Sequence, residues 1–90
     1  MTAVRVTVAS PVGLHARPAA VFVQAVVASG LPVVISKPDD ASSAPVDARS
    51  ILAVLALDVR AGDSVELAAS GEHADAVLAE LAALLAGAVG

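Results

Sequence analysis

Ninety residues bound the chain to a single modest core, and the reading is of one domain over residues 1–90. Five basic against nine acidic side chains leave a net charge of −4, and Phe22 is the sole aromatic, which argues against nucleic-acid binding by phosphate neutralisation or base stacking. With no cysteine there is neither a disulfide framework nor a thiolate metal site, as expected of a reducing, cytoplasmic setting.

Thr2 to Ala9 alternates small apolar with polar residues and reads as a strand covered on one face. Its alternation is unlike a signal peptide. A first helix is expected from about Ala16 to Ala28, stopped by Ser29-Gly30 and Pro32. At helical spacing Ala19, Phe22, Val23 and Val26 share the buried side, and Gln24 marks the opposite face with Ala20, Val21, Val27 and Ala28. Gln24 also interrupts the longest apolar run, which falls well short of the ~20 residues that span a bilayer, so no membrane insertion is expected. Pro32 to Lys37 is rich in β-branched residues and reads as a second strand. Pro38-Asp39-Asp40 is a turn, and Ser43 to Val46 a short third strand that Pro45 restricts to a sheet edge. Ser50 to Leu57 is a short apolar helix capped by Asp47 or Ser50. A turn at Ala61-Gly62-Asp63 leads into a strand, Ser64 to Ala69, and Glu72 to Leu85 is a final helix with Val77, Leu78, Leu81, Leu84 and Leu85 on one side. The order β-α-β-β-α-β-α is an α+β layout with helices on one face of a four-stranded sheet. Pattern alone reads it as ferredoxin-like with an added helix and leaves the strand order open.

The chemistry concentrates in Gly13-Leu14-His15-Ala16-Arg17-Pro18-Ala19-Ala20. Pro11 and Gly13 break the preceding strand, and Pro18 fits a first helical turn, where a missing N–H costs nothing. His15 therefore sits just ahead of a helix N-terminus, with about half a unit of positive charge from the helix dipole beside it and Arg17 two residues on. An imidazole nucleophile flanked by guanidinium and backbone N–H donors can accept and pass on a phosphoryl group.

This octapeptide resembles the phosphorylation motif of the HPr family, the histidine-containing phosphocarriers of the bacterial phosphoenolpyruvate:sugar phosphotransferase system. A second block, Ser50-Ile51-Leu52-Ala53-Val54-Leu55, is similar to that family's regulatory-serine helix. The resemblance implies an open-faced β-sandwich with an antiparallel four-stranded sheet and three helices on one face. It implies a stoichiometric carrier rather than an enzyme, with His15 phosphorylated at Nδ1 by Enzyme I and discharged to the A domain of a sugar-specific Enzyme II. Arg17 would stabilise the phosphoryl group in transit, and the backbone of Ala16 and Arg17 would contribute N–H donors. Ser50 is a candidate for phosphorylation by a dedicated kinase, although a helix N-cap alone explains a serine there. Ala20, Val21, Gln24, Val27, Ile51, Leu52 and Leu55 would form the docking surface for these partners, or for a transcriptional regulator.

Three features depart from the family pattern. Lys37 to Arg49 is longer than usual and places the serine at position 50. Asp58 stands where many relatives have glycine, and aspartate can visit the left-handed region at modest cost. Val12 replaces a second phosphorylatable serine. His73 with Glu72 and Asp75 offers too few ligands for a metal and reads as a helix start. No cofactor or metal is expected, and the chain is expected to be a monomer. Two other readings remain: a regulatory or nitrogen-related signalling module controlled through Ser50 or His15, and a small hydrolase using His15. The hydrolase ranks last because no carboxylate stands near the motif in sequence.

Overall fold

The computed structural model describes residues 1–88, so the last two residues of the expected domain lie outside the described part. β1 (Thr2–Thr7) keeps its alternation in space, with Thr2, Val4 and Val6 half-buried and Ala3, Arg5 and Thr7 exposed. It pairs antiparallel with β4 (Ser64–Ala69), Val4 opposite Leu67 and Val6 opposite Val65. The other edge of β4 pairs antiparallel with β2 (Val34–Ser36), and β2 in turn with β3 (Val46–Asp47). The sheet order is β1-β4-β2-β3.

Because β1 and β2 are both antiparallel to β4, they run parallel to each other with β4 between them. The helix α1 (Ala16–Ser29) connects them, and α2 (Ile51–Ala56) connects β3 to β4 across β2 in the same way. Two interleaved split β-α-β units result. The ferredoxin-like expectation has the same element order, but it left open what the pairing decides, which is that β4 enters the middle of the sheet.

The expected helix boundaries hold within a residue or two for α1 and α2. The third helix, α3 (Ala74–Ala83), starts later than Glu72 and is followed by a π-helical turn, Leu84–Ala88, which Gly87 interrupts at φ 100°. β1 ends two residues early because Val8 and Ala9 turn their N–H groups to the carbonyls of Asp63 and Leu85. The third strand is displaced from Ser43–Val46 to Val46–Asp47, so Pro45, which has no N–H for a ladder, precedes it. The strand does lie at the sheet edge. Asp40 organises the loop before it, accepting from Ser42 N–H at 3.0 Å while its carbonyl accepts from Ser43 N–H.

The three helices cover one face of the sheet. Phe22 and Val26 of α1, Val54 of α2 and Leu78 and Leu81 of α3 pack with Ile35, Val65 and Leu67 in one buried cluster. Burying each Val, Leu or Phe stabilises by about 1.5–3 kcal/mol. Leu14 is fully buried in the same cluster, so the residue just before His15 is an anchor in the core. Among the described residues no helix is long and apolar enough to cross a membrane.

Candidate functional site

His15 stands at the junction of two connections. The loop from β1 to α1 carries it, and the turn from α2 to β4 packs beneath that loop. Gly13 makes the close approach possible. It sits at φ +64°, and a side chain there would overlap the carbonyl oxygen of Val59 and come within 2.7 Å of the Cα of Arg60. Leu14 N–H donates to that Val59 carbonyl at 2.9 Å, pinning the loop to the turn.

From this anchored stem His15 emerges in extended backbone, φ −128°, as the N-cap of α1. Its side chain makes no capping bond and is 39% exposed, so the imidazole is open to a partner. The N–H groups of Ala16 and Arg17 lie in the first turn, which lacks intrahelical acceptors, and Pro18 brings no N–H at all. Ala16 adopts φ +52°, costly for a residue with a side chain.

The side chain that meets His15 comes from the other connection. Asp58 Oδ1 lies 3.2 Å from His15 Nε2, and Nδ1 makes no such contact among the described residues. Asp58 also has positive φ, 55°, which turns the chain sharply after α2 and aims the carboxylate at the imidazole. Arg60 holds its other oxygen, Nη2 donating at 3.0 Å and Nε at 3.3 Å. The Arg60 guanidinium, more than any other group, keeps the Asp58 carboxyl below the usual carboxylate range, and His15 adds to that. Lys37, at the end of β2, donates to the carbonyls of Leu57 and Asp58 at 3.4 Å each and lies 4.0 Å from Asp63. The turn is thus fastened to the sheet.

Sequence reasoning saw no carboxylate near the motif because Asp58 is remote in the chain. The one available signal was its own backbone, an aspartate where the helix had to end in a left-handed residue. Asp58 and Arg60 are therefore additions to the candidate site. Asp58 thus supplies the nearby carboxylate whose absence from the motif had ranked the hydrolase reading last.

Arg17 is exposed and, among the described residues, has no carboxylate within ion-pair distance. It borders an open depression with Ser10, Pro11, Leu14, Pro18 and Val21. Ser50 is the N-cap of α2, its Oγ accepting from Ala53 N–H at 3.2 Å. Asp47, the other capping candidate, binds Arg49 instead, through the backbone N–H and the guanidinium. α1 and α2 pack against each other. Of the expected docking residues, Gln24, Val27, Ile51 and Leu52 are exposed, Leu52 at 77%, whereas Ala20 and Val21 are half-buried. Leu55 packs against the core and offers only part of its surface. Val12, outside that set, is also exposed, at 52%. Among the described residues no three His, Cys, Asp or Glu side chains gather as a metal site, and His73 caps α3 without a side-chain bond.

The family model described as the PTS HPr component phosphorylation site matches residues 3–87. The chain belongs to the HPr family. An HPr phosphocarrier protein from Streptomyces coelicolor is 49% identical over 82 residues, covering 91% of this chain and 85% of its own. Among solved HPr-like structures, the HPr of Bacillus anthracis superposes with a TM-score of 0.83 at 32% identity, covering 93% of this chain and 95% of that one. The Bacillus subtilis catabolite repression containing protein Crh superposes with a TM-score of 0.68 at 36% identity, covering 94% and 93%. The HPr fold was the one implied by the octapeptide, and the sheet with three helices on one face agrees with it.

Proposed function

We propose that this chain carries phosphoryl groups within the phosphotransferase system, taking them on Nδ1 of His15. The observation that carries the reading is an accessible imidazole whose Nε2 faces a carboxylate while Nδ1 is left free at the start of α1. Enzyme I, charged by phosphoenolpyruvate, is the donor and the A domain of a sugar-specific Enzyme II the acceptor. The Nδ1 lone pair attacks phosphorus as the bond to the donor nitrogen breaks, and that electron pair stays with the donor. Arg17 pairs with the phosphoryl oxygens in transit, since a guanidinium matches their geometry, and the first-turn N–H groups of Ala16 and Arg17 add donors. No chemistry in this relay is completed by the domain alone, so it acts as a stoichiometric carrier, working in the cytoplasm as a monomer of one domain.

Partners dock on the apolar patch of Val27, Ile51 and Leu52 around Gln24, which lies on the packed pair α1 and α2. A second reading, regulation through Ser50, has in its favour the likeness to Crh and the position of Ser50 at the head of α2 beside that patch. Incubation with phosphoenolpyruvate, magnesium and Enzyme I distinguishes them. The carrier acquires an acid-labile, alkali-stable phosphate that His15→Ala cannot acquire. An acid-stable label confined to Ser50 in the presence of a kinase, with none on His15, would favour the regulatory module.

A further inference from the structure

The two residues other than glycine with positive φ among those described are Ala16 and Asp58, and they flank the same imidazole. Ala16 shapes the backbone immediately after His15. At Asp58 the cost of a left-handed residue with a side chain is borne where glycine would be unstrained, and the side chain so retained reaches the ring. Its surroundings are built rather than incidental. Arg60 occupies Oδ2 through two nitrogens and leaves Oδ1 for His15. Lys37 fastens the Asp58 carbonyl, and Gly13 brings the His15 loop onto Val59 and Arg60.

An ionised carboxylate oxygen supplies no proton. A proton on Nε2 makes the 3.2 Å contact favourable, whereas a lone pair there would make it repulsive. We propose that Asp58 is a positioning residue for His15, holding the Nε2–H tautomer and the ring's orientation so that the Nδ1 lone pair faces the incoming phosphoryl group. The inference rests on the carrier reading and extends it to a residue outside the octapeptide. During transfer the N–P bond forms at Nδ1 and the donor's N–P bond breaks, while the Nε2 proton stays where it is. The positive charge that develops on the ring then lies beside the carboxylate, as in other sites where an acid orients a histidine. Arg60 is bonded to the other oxygen of that carboxylate and Lys37 to the Asp58 carbonyl, and Asp58 is the one carboxylate within 4 Å of the ring among the described residues.

The test uses the intact protein with Asp58→Gly, which suits φ +55° and so keeps the turn, and Asp58→Asn, which tolerates that backbone and keeps an acceptor oxygen without the charge. Nitrogen-15 NMR of the imidazole in mildly alkaline solution is expected to show a Nε2–H signal slow to exchange in the parent. Asp58→Gly loses it, and Asp58→Asn retains part of it. With Enzyme I as donor, kcat for phosphorylation is expected to fall about tenfold in Asp58→Gly with KM nearly unchanged, and to recover in part in Asp58→Asn. A Nε2 proton equally protected in Asp58→Gly, or an unchanged kcat, would overturn the proposal. A parent protein that shows the protected proton yet takes no label from Enzyme I removes the carrier reading, and the proton signal in the variants then decides the Asp58 contact by itself.

Discussion

Gly13 and Asp58 solve the same backbone problem in opposite ways. Both lie at positive φ in connections that meet under His15, yet one has no side chain and the other keeps a charged one. At Gly13 the neighbouring backbone leaves no room for a Cβ. At Asp58 there is room, and the side chain makes contacts with His15 and Arg60 that glycine could not make. A left-handed residue forced by packing is thus distinguishable from one whose side chain has a role.

The comparison is broken most severely at Gly13. Gly13→Ala combines an unfavourable φ with overlap on Val59, and the expected loss is about 3 kcal/mol, read as a lower urea midpoint. A midpoint within about 0.5 kcal/mol of the parent would show that the loop relaxes freely, and the contrast with Asp58 would lose its basis. Arg17→Ala sharpens the functional side. Phosphoryl acceptance from Enzyme I should slow about a hundredfold, as for loss of one charge-stabilising donor, with stability within about 0.5 kcal/mol because Arg17 is exposed. Ser50→Ala removes the bond to Ala53 N–H and should cost about 1 kcal/mol by urea unfolding, whatever becomes of regulation.

The smallest effect expected is with acid. Asp40, Asp47 and Asp58 all titrate below the usual carboxylate range, through the hydroxyl and N–H of Ser42, the Arg49 guanidinium and the Arg60 guanidinium respectively. A carboxyl depressed in the folded state lends stability that is fully present above its unfolded value, about pH 3.9, and is lost as pH falls through the folded value. Denaturant midpoints should therefore hold level from neutrality to about pH 5 as far as these groups are concerned, and their contribution should decline only below about pH 4. No decline from these groups below about pH 4 would mean that these contacts do not persist in solution.

Much of this architecture was legible because local signals agreed. The alternation of β1 and β4, the stop at Ser29-Gly30 and a cap at Asp47 or Ser50, which the structure resolves to Ser50, each determined an element without help from distant residues. Strand order was not legible, since the central place of β4 depends on which edges pair, and periodicity carries no record of that. The third strand was displaced for a local reason, because the side-chain bonds of Asp40 extend the loop and Pro45 cannot join the ladder. His15 and Arg17 were readable as a pair because they are neighbours in sequence. The contact of Asp58 with His15 was not, since it arises where Gly13 lets two separate connections touch.

The central claim concerns one nitrogen. Phosphorus-31 and nitrogen-15 NMR of the chain phosphorylated by Enzyme I tests it directly, because coupling to phosphorus identifies the bonded atom. The account predicts that coupling at Nδ1 of His15, with the proton still on Nε2. Phosphorus coupled to Nε2, or phosphate carried on any residue other than His15, would contradict it.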